Sequence, residues 1–197
     1  LVGWNPGNNE ELFSVDQLAE LFSFERVHKS GAKFDPEKAK WFNQQYLRAK
    51  SDHELSQVFK PILKEKGFEK DDAFMIDFCK LVKEKVQFVH EFWDHGKYIF
   101  EAPTSYDQKI MTKKWNDTSG TLFNSVLITF NTVDTWTSQN IHDAFEDLLK
   151  TTGKIDMQLL RVLITGVAGG PQLFDMLALI GKNEVIKRLE LALQKNN

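Results

Sequence analysis

Ile155-Asp156-Met157-Gln158-Leu159-Leu160-Arg161-Val162-Leu163-Ile164-Thr165-Gly166, followed by Gly169-Gly170-Pro171-Gln172, decides how the chain is read. Ile155–Thr165 is nearly all apolar and reads as a packed helix that stops at Gly166. Arg161 is out of place in it. A guanidinium in so apolar a helix must reach solvent, pair with a carboxylate or face a ligand. On the residues alone, a snorkelling or salt-bridged arginine is the plainer account. Gly169-Gly170 lets another backbone or a base approach closely, and Pro171 suits a first helical turn. The free N–H groups of such a turn can hold polar edges or anions, although a plain helix–helix turn has the same residues. A planar donor beside a glycine-lined helix start has the chemistry to read unstacked bases of a single-stranded RNA loop.

Working outward, two more helices follow, Gln172–Ile180 and Asn183–Gln194, separated by Gly181. Upstream, helical periodicity dominates and strand alternation is scarce. Amphipathic helices fit Leu122–Phe130 and Gln139–Lys150, the latter ended by Gly153. Ser105-Tyr106-Asp107-Gln108 caps a further helix, and Glu101-Ala102-Pro103-Thr104 reads as a hinge. The longest helix is expected from Asp72 to about Phe92. Ser51-Asp52-His53-Glu54 and Ser14-Val15-Asp16-Gln17 have the form of capping boxes. Pro61 predicts a kink or break in the helix behind the first of these, which Gly67 ends. Asp35-Pro36 opens a helix to about Arg48, with Ala39, Phe42, Tyr46 and Trp41 expected to face inward. Asn5-Pro6-Gly7-Asn8-Asn9 and Ser30-Gly31-Ala32 are breaks. The architecture implied is an all-α, multi-helix array after a mixed N-terminal piece.

The chain has 197 residues, 42% of them hydrophobic and 27% charged, as in an ordinary globular protein rather than a disordered one. No apolar run approaches a membrane span, and no signal segment opens the chain. It begins Leu1-Val2-Gly3-Trp4, which reads as a start inside a larger fold. With one cysteine, Cys79, there is no intrachain disulfide, and a reducing compartment is expected. The net charge of -3 supplies no global field for nucleic acid, so any such binding must come from local patches and shape. No phosphate loop, nucleophile elbow or paired metal ligands appear. His28, His53, His90, His95 and His142 never fall at i, i+4. Neither catalytic residues nor a metal site is expected.

Lys85 falls in the stripe Phe74, Phe78, Leu81, Lys85, Phe88, Phe92, where it either snorkels or serves a partner phosphate or base. Lys109, Lys113 and Lys114 share one side of a helix beside Trp115. They form a solvated basic face or a set of phosphate contacts.

Taken together, Leu1-Val2-Gly3-Trp4-Asn5-Pro6-Gly7, Phe13-Ser14-Val15-Asp16-Gln17-Leu18, Phe24-Glu25-Arg26-Val27-His28-Lys29-Ser30 and Phe34-Asp35-Pro36-Glu37-Lys38 with Trp41-Phe42-Asn43-Gln44-Gln45-Tyr46 resemble the stretch after the Lys-Met-Ser-Lys-Ser loop of bacterial-type glutamyl-tRNA synthetases. Leu160-Arg161-Val162-Leu163-Ile164-Thr165-Gly166, Gly170-Pro171-Gln172-Leu173-Phe174-Asp175-Met176-Leu177 and Ile180-Gly181-Lys182 resemble the same family's C-terminal anticodon-binding segment. The likeness spans the chain.

It implies a class I enzyme that uses ATP and Mg²⁺ to attach glutamate to tRNA in the cytoplasm. The Rossmann-type domain and signature motifs that do so are not in this sequence, so this chain alone is expected to be inactive and to hold no cofactor. Residues 1–50 would be the C-terminal part of the stem-contact domain. Residues 51–102 and 103–197 would be two helical anticodon-binding subdomains. The family's anticodon contacts fall at Arg161, Pro171 and Leu173, at Gly170, where a Thr is common, and at Lys85, where Arg or Gln bears on the third anticodon base. The implied partner is tRNA, either glutamate tRNA alone or glutamine tRNA as well, bound by a monomer without DNA or membrane. The rival reading is a stand-alone helical protein-interaction module.

Overall fold

A computed structural model describes residues 3–28, 31 and 33–196. The break expected at Ser30-Gly31-Ala32 lies partly outside them, because Ser30 and Ala32 are not described. Among the described residues the structure is helical, with one isolated antiparallel bridge, Trp4 to Val27. It divides into two compact units, 1–50 and 51–197.

In the first unit the loop 3–13 is held by polar and aromatic contacts. Trp4 and Phe13 are buried. The Trp4 indole donates to Ser23 O at 3.2 Å, and Arg26 donates to the Pro6 carbonyl. Helix α1 (Val15–Leu21) starts with the expected capping box, Ser14 and Gln17 each taking the other's backbone N–H. Helix α2 (Pro36–Ala49) starts at Asp35, whose carboxylate accepts from the N–H groups of Glu37 and Lys38. The inward face expected for α2 differs from the one found. Leu47 is its buried residue, whereas Trp41 and Tyr46 are exposed. Tyr46 is amphipathic and works through its hydroxyl, which donates to Phe13 O at 2.9 Å.

The second unit holds α3 (Asp52–Glu65), α4 (Asp72–Val82), α5 (Glu91–Phe100), α6 (Gln108–Lys114), α7 (Ser119–Thr132), α8 (Ser138–Thr152), α9 (Met157–Thr165), α10 (Leu173–Ile180) and α11 (Lys182–Asn196). Helix α3 opens with the Ser51/Glu54 capping box and runs on through Pro61 as one element. A core of rings joins α3, α4 and α5: Phe59 stacks on Phe78 at 5.4 Å, and Phe92 packs on both. The helices α4 and α5 meet closely at Gly96, where a Cβ would come within 2.4 Å of the Phe78 ring.

The single long helix expected over Asp72–Phe92 is instead two. Helix α4 ends at Val82, a 3-10 turn covers Lys83–Lys85, and Val86 is extended at φ -111° and ψ 147°. Glu91 fixes the break by accepting from Gln87 N at 2.7 Å and Phe88 N at 3.2 Å. The apolar period survives the turn because both helices face the same core, so periodicity alone hides the break.

Two local assignments also shift. The cap of α6 is Asp107 rather than Ser105, accepting from Ile110 N at 3.1 Å. The connection 101–107 lies against the end of α9, where Asp107 N donates to Gly166 O at 2.9 Å. Pro171 is not in the first turn of α10 but just before it, since the N-cap is Gln172. Arg188, on α11 and 1% exposed, ties three helices together. It donates to Glu184 Oε1 at 2.7 Å, to Tyr98 O of α5 at 2.6 Å and to Ile164 O of α9 at 3.5 Å.

Candidate nucleic-acid interface

Helix α4 buries Met75, Phe78, Cys79 and Val82 and turns the opposite face outward. Helix α10 does the same, burying Leu173, Phe174, Met176 and Leu177. Their outward faces, together with the loop between α9 and α10, border an open groove of about 1140 Å³. Phe74, Leu81, Trp136, Pro171 and Leu179 give it apolar walls. Lys85, Arg161 and Gly170 line the same groove, although Lys85 comes from a distant stretch of sequence.

Arg161 is partly buried and, among the described residues, has no carboxylate as a hydrogen-bond partner. Its Nη2 donates to the Pro171 carbonyl at 2.6 Å, and its Nη1 lies 3.7 Å from Met176 Sδ. Burial lowers the guanidinium from its ordinary value, with Tyr98 opposing the shift, and an arginine keeps its charge regardless. Gly170, at φ +153°, sits against this guanidinium, and a Cβ there would lie 2.7 Å from Arg161 Nη1. At Gly169 the space is open. The two glycines therefore differ: Gly170 is a close approach, and Gly169 is a free edge of the loop.

The other candidates separate. Lys85 is exposed at the end of its 3-10 turn and sits on the groove. Leu173 is 5% exposed and faces the core, anchoring α10 beneath the loop rather than lining the groove. Lys109 and Lys113 are exposed on α6 and do not line the groove. Lys114 is committed to Asp156, the N-cap of α9, at 2.7 and 3.0 Å. Burial alone would raise Asp156, but its hydrogen bonds from Lys114 and Leu159 outweigh this and hold the carboxyl below its ordinary value.

Sequence reasoning missed Trp136. Its indole N–H donates to Leu177 O at 2.9 Å and its ring meets Phe130 edge-on at 5.6 Å, which fixes it in the groove wall. Thr135-Trp136-Thr137 is an aromatic between polar residues just before a helix, a signal that could have been read. Asp71, Asp77, Glu84 and Asp175 also border the groove, offsetting Lys80, Lys85 and Arg161. Such a mixed lining is poor at tracking a phosphate backbone and suited to polar base edges beside apolar walls.

The fold and groove together define an all-α helical module with an open cleft of mixed polarity. Residues 37–193 match the family described as "Anticodon binding domain", and the chain belongs to that family. It is similar to the glutamate–tRNA ligases of Flavobacterium psychrophilum (42% identical over 197 residues) and Flavobacterium johnsoniae (41%). In each case 98% of this chain is covered but 39% of the relative, so the chain spans about two fifths of the length of these curated relatives. The crystal structure of a glutamate tRNA ligase from Elizabethkingia meningosepticum, in complex with its amino acid, superposes with a TM-score of 0.95 at 33% identity. That match covers 100% of this chain and 40% of the other.

Proposed function

We propose that this chain recognises tRNA as the C-terminal part of a glutamate–tRNA ligase, with the α4/α9/α10 groove taking the anticodon loop. The observation that carries this is the convergence of Arg161, Gly170, Pro171 and Lys85 on one open groove, with Arg161 held by a carbonyl and a thioether rather than by an acid. A guanidinium so placed can exchange its partners for the edge of an unstacked base. Pro171 and Trp136 offer apolar surfaces for base faces, and Lys85 adds a point charge at the far side. In this reading residues 1–50 serve the tRNA stem, and 51–102 and 103–197 form the two parts of the anticodon-binding region. The complete enzyme would use ATP with Mg²⁺ to join glutamate to its tRNA, as a cytoplasmic monomer.

The test is filter binding of a glutamate-tRNA anticodon stem-loop. Arg161→Ala should weaken binding by about 1–3 kcal/mol if the contact is a specific base readout. Unchanged affinity removes Arg161 from the site. Because the groove's charges nearly cancel, affinity should fall only modestly with salt.

A further inference from the structure

Behind Gly170 lies a polar group that the protein itself does not satisfy. Tyr98 of α5 is 9% exposed, and its hydroxyl is sealed from solvent with no hydrogen-bond partner among the described residues. Its backbone is not adrift, because Arg188 holds the Tyr98 carbonyl at 2.6 Å. A Cβ at Gly170 would lie 3.0 Å from Tyr98 Oη and 2.7 Å from Arg161 Nη1. The phenol and the guanidinium therefore both close on the bare Cα of Gly170, a groove-lining position where any Cβ would crowd them. A buried hydroxyl without a partner lowers stability, and phenylalanine would avoid the cost, so keeping the hydroxyl here calls for a use. Among the described residues Arg161 has no carboxylate partner to pin it beside the phenol.

We propose that Tyr98 is a further specificity-determining residue of the groove: when Arg161 turns to a nucleobase, the uncovered Tyr98 hydroxyl donates to a second acceptor on the same base edge. This rests on the anticodon-groove reading above. Burial pushes the phenol up to about 12, against the pull of Arg161, so it stays a neutral donor near neutral pH. Two neighbouring donors suit an edge with two adjacent acceptors, such as O2 and N3 of cytosine or O6 and N7 of guanine.

The experiment compares the 197-residue chain, Tyr98→Phe and Arg161→Ala in titrations with the glutamate-tRNA anticodon stem-loop, with thermal unfolding in parallel. Tyr98→Phe should bind about tenfold more weakly, the scale of one lost hydrogen bond, while its Tm equals or exceeds the parent's. If the parent binds in an Arg161-dependent way and Tyr98→Phe binds as well as the parent, the role of the hydroxyl is overturned and the groove reading stands. A lowered Tm for Tyr98→Phe also overturns it, since the hydroxyl would then have a structural partner. If the parent chain does not bind the stem-loop at all, the groove reading fails and this inference falls with it.

Discussion

Arg188→Ala tests how the groove is held together from beneath. The side chain is 1% exposed and joins α11 to the carbonyls of Tyr98 and Ile164. Losing the donor to Tyr98 O leaves a buried carbonyl unpaired, at about 1–3 kcal/mol. Emptying the space of the aliphatic stem costs roughly 2 kcal/mol more, at about 0.8 kcal/mol per methylene. Two effects limit the loss: Nη2 of Arg188 is buried without a partner among the described residues, and Glu184 is 37% exposed and can return to water. The net expectation is a destabilisation of about 3 kcal/mol. Arg188→Met keeps most of the packing and removes the buried charge, so it should cost only about 1–2 kcal/mol. Equilibrium urea unfolding followed by far-UV circular dichroism reads this directly, because most of the helix lies in α3–α11. The midpoint should fall at unchanged m. An alanine form within about 0.5 kcal/mol of the parent, well inside the cost of one orphaned carbonyl, would refute the reasoning. So would a methionine form as damaged as the alanine one.

Two further outcomes follow from the packing. Asp156 has a carboxyl held below its ordinary value of 3.8, so its contribution to stability is complete above that value and is lost as pH falls through the lowered one. Acid unfolding of Asp156→Asn should accordingly show a shallower pH dependence on the acid side of 3.8, and a profile identical to the parent's would contradict the Lys114 pairing. Cys79 is fully buried, and burial first, with Asp52 adding and Lys83 opposing, pushes its thiol up to about 12. A thiol-reactive disulfide reagent at neutral pH should label it only in denaturant, and rapid labelling of the folded chain would mean that the α3/α4 core opens readily.

Much of this was legible in the residues, for local reasons. Capping boxes at Ser14 and Ser51 and the Asp35-Pro36 start are short-range chemistry, and each begins a helix where the pattern places it. Arg161 stood out because a guanidinium among leucines has few permitted environments, and its exposure to an open groove is one of them. The break at Val86 was hidden because α4 and α5 share one core, so the apolar period runs straight across a turn that Glu91 makes with its side chain. Leu173 could not be placed from spacing, since whether it faced the loop or the core depends on how α10 rotates against α4. Tyr98 was missed for the same reason, since its role depends on Gly170 and Arg161, which only the packed helices bring near; Trp136 left a local signal, but its place in the groove depends on Leu177.

The most direct test of the groove is the indole N–H spectrum of the chain, which has five tryptophans. Trp136 lines the groove, whereas Trp93 and Trp115 of the same unit do not. Titration with a glutamate-tRNA anticodon stem-loop should shift the Trp136 signal, assigned by Trp136→Phe, ahead of those two. Saturable binding that moves the others and leaves Trp136 unchanged would place the RNA elsewhere and contradict the account.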